Sequence, residues 1–294
     1  MRDGLDQFYT TPETAQKCLG ILKQFIADAG IQSPEYIEPS AGAGVFLSGL
    51  PSSTIAMDIA PPPDCSWMPK RDYLAWKYTG SRQRSRMIVV GNPPFGQRGK
   101  TAVAFINHAA SMADTIAFIL PSCFRKWGSQ KQASPDLSLQ SSADLRGDLY
   151  LKPNGRTVAL NTVFQIWSRH TPYLNLRKTE REPTSHPDFK MWQYNNTRAA
   201  ERYFEMPFDF AAPCQGWQNY AVKRLRADEC ERHKQWMLLL ATAPTALETL
   251  YRIDFQELAH RNGTAVPGYR KNDVVSEYER LVSLNRTASS FPKA

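Results

Sequence analysis

Apolar and polar positions along the chain switch between a helical and an extended period, and the switching predicts an α/β domain. Residues 13–29 carry apolar side chains at helical spacing (Ala15, Leu19, Leu22, Ile26), with Thr11 or Thr10 as cap, Pro12 in the first turn and Gly30 closing the helix. A short strand opens at Tyr36-Ile37, and residues 54–58 read as a second. Residues 87–91 (Met-Ile-Val-Val-Gly) and 115–121 are all-apolar runs between turn formers, the pattern of strands buried in a parallel sheet. Between them, residues 101–112 are amphipathic, with Val103, Phe105, Ile106, Ala109 and Ala110 on one face. The Ser/Gln-rich stretch 128–142 reads as a mobile loop, and residues 147–151 and 158–167 as paired closing strands around Pro153-Asn154-Gly155. Past His170 the alternation weakens. The expected division is therefore 1–170 for a catalytic domain and 171–294 for a C-terminal extension, the latter holding a strand at 236–240 and helices at 245–260 and 274–284.

Composition narrows the class. A hydrophobic share of 42% and a charged share of 22% are ordinary for a soluble globular protein. No apolar run approaches a membrane span, and the N-terminus lacks a signal-like apolar stretch. Five scattered cysteines (18, 65, 123, 214 and 230) without a CxxC pair point to a reducing, cytoplasmic setting and to no structural metal. The net charge of +8 favours a polyanionic partner. Lys70, Arg71, Lys77, Arg82, Arg84, Arg86, Arg98 and Lys100 surround one segment, with Asp72 the only acid among them. In the tail, Lys223, Arg224 and Arg226 stand near Trp217 and Tyr220 as a second basic-aromatic group.

The segment inside the basic collar is Asn92-Pro93-Pro94-Phe95, at the exit of the 87–91 strand. Two prolines stiffen the loop and remove two donors, and the residue before a proline is held extended. Asn92 then offers a side-chain acceptor, Pro93 a carbonyl and Phe95 a flat face, a set suited to a planar heterocycle bearing an amino group. A proline-rich turn with Phe95 in the core explains the same letters. Upstream, Glu38-Pro39-Ser40-Ala41-Gly42-Ala43-Gly44 ends a strand in a glycine turn that opens a helix. The dinucleotide fingerprint GxGxxG is absent because position 47 is Leu, and Glu38 disfavours a phosphate, so a ligand with a cationic end fits better. Asp58 stands where a strand-tip acid accepts ribose hydroxyls. Asp72 can accept from a purine amino group, with Tyr73 or Leu74 packing on its ring.

Taken in this order, the segments resemble S-adenosylmethionine-dependent amino-methyltransferases, in particular DNA adenine-N6 methyltransferases, over roughly residues 7–170. The resemblance implies a Rossmann-like, doubly wound, mostly parallel seven-stranded sheet. It implies S-adenosylmethionine held by Tyr9, Thr10 and Thr11, by Glu38, Pro39, Ala41, Gly42 and Gly44, by Asp58 and Ile59, and by Asp72, Tyr73 and Asn92. Asn92, Pro93, Pro94 and Phe95 would carry the chemistry on an adenine that is flipped out or single-stranded. Phe95, Phe164, Arg98 and Lys100 would hold the nucleic acid, with DNA expected ahead of RNA. No metal is implied, and no membrane association. An RNA adenine methyltransferase, or a nucleic-acid-binding relative without catalysis, are the alternatives.

Overall fold

In a computed structural model of the protein, residues 8–152, 154–170 and 175–289 are described, so Gln7 and Pro153 lie outside the described residues. The chain forms two compact units, Met1–Arg181 and Glu182–Ala294. In the first, the elements run β1 (Tyr9–Thr10), α1 (Pro12–Asp28), β2 (Glu35–Glu38), β3 (Ile55–Ala56), β4 (Met87–Gly91), α2 (Lys100–Ala109), β5 (Thr115–Pro121), the single turn α3 (Trp127–Gln130), β6 (Ser138–Asp144), β7 (Leu149–Leu151), β8 (Thr157–Ala159) and β9 (Thr162–Ser168). Six strands form one sheet in the order β3-β2-β4-β5-β9-β6. The ladders from β3 to β5 are parallel, and β9 lies antiparallel to both its neighbours.

The two-residue period of the strands sorts the core. Val89, Ile116, Phe118, Leu120 and Trp167 face α2 through Phe105 and Ile106, whereas Ile88, Val90, Ile119, Phe164 and Ile166 face α1 through Ala15, Leu19 and Leu22. Burial on both faces is why β4, β5 and β9 contain no exposed position. Helix α1 starts where the sequence says, with Thr11 Oγ1 accepting from Thr14 N at 3.4 Å and Pro12 first in the helix.

Several expectations need correction. The main sheet has six strands among the described residues, not seven. Beyond β3 it is continued only by an isolated parallel bridge between Asp58 and Lys70, because prolines 61–63 and Pro69 supply no N–H groups for a ladder. The stretch expected to be a loop contains β6, an edge strand in which Leu139 is buried, Ser138 and Ser141 are half-buried and Ser142 is exposed, and polar side chains suit an edge. Strands β7 and β8 do form a hairpin, but it leaves the main sheet and pairs with β1. The glycine turn leads into a single 3₁₀ turn at Leu47–Gly49 rather than an α-helix. The first unit also runs to 181 rather than 170. Arg177 donates to the carbonyls of Gln130, Ala133, Ser134 and Leu137 and lies over the Trp167 ring, tying this segment to the first unit.

The second unit is an antiparallel sheet, β10 (Phe189–Tyr194), β11 (Phe210–Gln215) and β12 (Gln235–Ala241), in the order β10-β12-β11. Helices α4 (Ala246–Tyr251), α5 (Phe255–Asn262) and α6 (Lys271–Ser289) pack on the face carrying Phe210, Met237 and Leu239. The single helix expected over 245–260 is broken because Asp254 leaves the helical conformation and caps α5, accepting from Glu257 N at 2.9 Å. Among the described residues no helix is long and apolar enough to cross a membrane.

Candidate active site

The chain leaves β2 toward β3 on one side, and β4 lies on the other, so the strand order reverses at β2. Crevices outside the carboxyl ends of such strands are where ligands bind. A cavity of about 380 Å³ opens there, walled by the segment after β2, Asp58-Ile59 after β3, Arg71 to Leu74, Asn92 to Gly96 after β4, and Phe8 to Thr10. Of the residues expected to hold a cofactor, Tyr9, Thr10, Glu38, Pro39, Ala41, Gly42, Asp58, Ile59, Asp72, Tyr73 and Asn92 line it. Pro93, Pro94 and Phe95 line it as well.

Close backbone approach organises one end. Gly42 has φ 53°, and a Cβ there would stand 3.0 Å from Cδ1 of Tyr9, so the tyrosine ring closes over the turn only because position 42 is glycine. Asp58 braces that turn from β3, its Oδ2 accepting from Gly42 N and its Oδ1 from Ala60 N, both at 2.8 Å. Each oxygen keeps a lone pair for a further donor. Asp72 Oδ1 accepts from Leu74 N at 2.9 Å, which turns the chain so that Leu74 comes to the cavity wall. Glu38 differs from these acids. It is 1% exposed, its Oε2 has no hydrogen-bond partner, and burial followed by the charge of Asp58 pushes its pKa well above the usual carboxylate range. Neither acid has a cationic side-chain partner among the described residues. A buried pair of carboxyls of this kind is suited to a cationic ligand group.

The other end is built on Asn92. Its Nδ2 donates to the carbonyl of Phe8 at 2.8 Å and to Thr10 Oγ1 at 3.1 Å. A main-chain carbonyl only accepts, which fixes the amide orientation and leaves Oδ1 as the free acceptor. That Oδ1 is buried with no partner. Ser40 Oγ donates to the Asn92 carbonyl at 3.1 Å, tying this loop to the glycine turn. After Phe95 the chain passes through three left-handed residues, Gly96 (φ 67°), Arg98 (φ 57°) and Gly99 (φ 79°). A side chain at Gly99 would press on Cys123 and Phe124, so the tight return into α2 fixes Phe95 against the cavity.

Other expected residues fall elsewhere. Phe164 is fully buried in the core between the main sheet and α1, so it cannot stack on a ligand. Tyr73 reaches the cavity wall but is 1% exposed and packs on Phe105 and His108, leaving Leu74 as the accessible apolar face. Thr11 is occupied as the α1 cap, and Gly44 packs under Trp67; neither lines the cavity. Arg82, Arg84 and Arg86 precede β4, so the five-residue strand, ~16 Å long, separates them from the Asn92 loop. They are used structurally, Arg82 and Arg86 on Glu35 and Arg84 on Asp114. Arg98 and Lys100 are exposed beside the loop, and Arg71 is on the wall. In the second unit, Lys223 lies over Phe210, Tyr251 and Phe255, Arg226 pairs with Asp228 and Tyr220 is buried, so this group is not a free basic ridge. Phe8, Thr101 and Phe105, not expected in the site, line it from the residue before β1 and from α2, and no local pattern marks them.

Residues 49–189 match the family model described as an EDM2 methyltransferase-like domain, a span that includes Asp58, Asp72 and Asn92 but not the glycine turn. No curated protein sequence matches the chain. Among solved structures, the chain is similar to a Pyrococcus horikoshii protein described as an RNA methyltransferase (14% identity, 56% of this chain and 87% of that one, TM-score 0.43). It is also similar to the methyltransferase subunit of a type I restriction-modification system from Streptococcus thermophilus (15%, 56% and 45%, TM-score 0.41). A third is magnesium protoporphyrin IX methyltransferase from Synechocystis, solved with S-adenosylmethionine bound (13%, 53% and 79%, TM-score 0.35). The chain thus resembles a methyltransferase-like domain over its central part.

Proposed function

We propose that the protein transfers a methyl group from S-adenosylmethionine to the exocyclic N6 of an adenine in DNA, the base being flipped out or single-stranded. The observation that carries this reading is Asn92 Oδ1, a buried acceptor with a fixed amide orientation and no partner, beside a rigid Pro-Pro loop and an aromatic face. A buried acceptor left unpaired costs ~1–3 kcal/mol, which a ligand amino group recovers.

The residues present fit the cofactor. Glu38 and Asp58 form an acidic wall suited to its positive charge, and Asp58 keeps lone pairs for ribose hydroxyls. The Gly42 turn allows close backbone approach, and Leu74, Ile59 and Phe105 offer apolar surface for a purine. When bound, S-adenosylmethionine supplies a methyl group on a positively charged sulfur that leaves as a neutral thioether.

This chain's part is to raise the nucleophile and hold it in line. The lone pair of the adenine amine is delocalised into the ring. Accepting its two hydrogens at Asn92 Oδ1 and at the Pro93 carbonyl draws them out of plane and increases the sp3 character of the nitrogen. Phe95 fixes the ring plane, and the surplus proton on the methylated nitrogen is lost to water. Positioning and electrostatics carry the step, with no covalent adduct to the protein. Arg98 and Lys100, exposed beside the loop, suit the phosphates flanking the base.

The test is tritiated-methyl transfer from S-adenosylmethionine onto separate DNA, RNA and protein pools, with the modified product identified by mass spectrometry. N6-methyladenine in DNA is the expected outcome. Label only in protein or only in RNA would overturn the substrate, and no label in any pool would overturn the activity.

A further inference from the structure

Phe8 and Thr10 stand two residues apart in an extended segment, so their side chains leave it on the same side. Both meet the loop after β4. The Phe8 ring packs on Phe95 with centroids 6.4 Å apart, and Thr10 Oγ1 accepts from Asn92 Nδ2 at 3.1 Å. Tyr9, between them, goes instead to the glycine turn, where its ring meets Gly42.

The position of Thr10 is set from both ends of β1. On one side it pairs with Tyr150 of β7, a fully buried residue whose hydroxyl shares a 2.7 Å hydrogen bond with Thr162 Oγ1. On the other, Thr11 is held extended before Pro12 (φ −77°, ψ 157°) and caps α1. Thr10 itself is 6% exposed, and its branched Cβ restricts χ1. Its hydroxyl therefore stands at a defined point beside the Asn92 amide.

An asparagine amide needs such a point. Its last torsion is broad and roughly two-fold, without the narrow staggered wells of an alkyl chain. One hydrogen bond, from Asn92 Nδ2 to the Phe8 carbonyl at 2.8 Å, selects the orientation but leaves the amide plane free to swing. The second, to Thr10 Oγ1, takes up the other amide hydrogen and fixes the plane. With both hydrogens held, Oδ1 is buried, without a partner, and aimed before any substrate arrives.

We infer that Thr10 is a positioning residue for the transfer, its hydroxyl holding the second Asn92 amide hydrogen so that Oδ1 is pre-aimed at the substrate amine. The inference rests on the methyl-transfer reading above and deepens it. It moves Thr10 from the cofactor group, where the sequence resemblance put it, to the acceptor. A displacement of ~1 Å at a reacting group costs up to ~10²-fold in rate, which is the scale on which a swinging amide acts.

The experiment compares wild type with Thr10→Val, which keeps the branched shape without the hydroxyl, and with Thr10→Ser, which keeps the hydroxyl. Single-turnover methyl transfer to an oligonucleotide with one adenine is measured at saturating S-adenosylmethionine, cofactor affinity by calorimetry and folding by thermal melting. Thr10→Val is expected to lower the rate ~10-fold or more with cofactor affinity within about twofold of wild type, and Thr10→Ser to recover most of the loss. In an Asn92→Ala background, Thr10→Val is expected to lower the rate by less than about twofold further, because no amide is left to hold. Full additivity of the two substitutions would mark a merely structural role and overturn the inference. So would a Thr10→Val rate within about threefold of wild type, or a fall in cofactor affinity that matches the fall in rate. A measurement independent of transfer and of any change at position 10 uses ligand-free wild-type protein carrying asparagine isotopically labelled on its side-chain nitrogen. The Asn92 amide signals are recognised in NMR spectra by their loss in Asn92→Ala. Both amide hydrogens are expected to exchange with water far more slowly than those of an exposed asparagine, and exchange of either at the exposed rate would overturn the inference while leaving the methyl-transfer reading intact. Absence of transfer by the wild-type protein would overturn the reading beneath it, and the positioning role with it.

Discussion

Replacing Glu38 by Gln should make the ligand-free protein more stable and the cofactor complex weaker. Glu38 is 1% exposed, its Oε2 is unpaired, and burial with the neighbouring Asp58 charge raises its pKa well above the usual range. A carboxyl whose folded pKa is raised favours folding only while protonated. Its contribution is fully present below the unfolded value of ~4.3, and is lost as pH rises through the folded value. As pH rises above the unfolded value the wild-type carboxyl therefore loses stability that Gln, which does not titrate, keeps. Each pH unit by which a carboxyl's folded pKa stands above its unfolded one is worth ~1.4 kcal/mol, and a folded unit of this size shifts its melting temperature by ~2–4 °C per kcal/mol. Scanning calorimetry should show Glu38→Gln melting at least ~2 °C higher than wild type at pH 8, with the gap closing toward pH 4. Added S-adenosylmethionine should raise the wild-type melting temperature more than that of the variant, because Gln cannot ionise to meet its positive charge. A variant less stable than wild type at pH 8, or equal cofactor shifts in both, would refute the assignment of Glu38 as an uncompensated wall of the cofactor site.

Phe164→Ala should act on stability, costing ~3–5 kcal/mol by urea unfolding as for other large core aromatics; a raised oligonucleotide KM at unchanged stability would contradict its place in the core. Arg98→Ala with Lys100→Ala should flatten the salt dependence of oligonucleotide binding by up to about two phosphate contacts. Arg84→Ala should leave that slope unchanged, because Arg84 is held on Asp114 at the far end of β4; equal slopes for the two variants would contradict this division of the basic residues.

Much of the first unit was legible in the sequence because its signals are local. Apolar runs bounded by turns gave β4 and β5 almost to the residue, and the Thr-Pro pair gave the start of α1. The loops at the strand ends are likewise short segments whose letters state their own chemistry, so Glu38, Asp58 and Asn92 could be located before any fold was known. What failed depends on which strands meet. An edge strand tolerates serines and so β6 read as a loop, while the isolated proline-rich bridge at Asp58 took the place of a seventh strand. Charge misled for the same reason. Arg84 and Arg98 are fourteen positions apart, yet a buried strand carries the chain from one end of the sheet to the other between them. Phe164 misled because alternation along β9 says that a residue faces one side, not whether a helix already covers it.

The central claim is that Asn92 Oδ1 is the acceptor for the substrate amine. Its direct measurement is single-turnover transfer of tritiated methyl from S-adenosylmethionine to an oligonucleotide with one adenine, by wild type and by Asn92→Ala at saturating cofactor. The account predicts N6-methyladenine from the wild-type protein and a rate lower by ~10² or more in the variant, which remains folded and still binds S-adenosylmethionine. Transfer by Asn92→Ala within about threefold of wild type would contradict it.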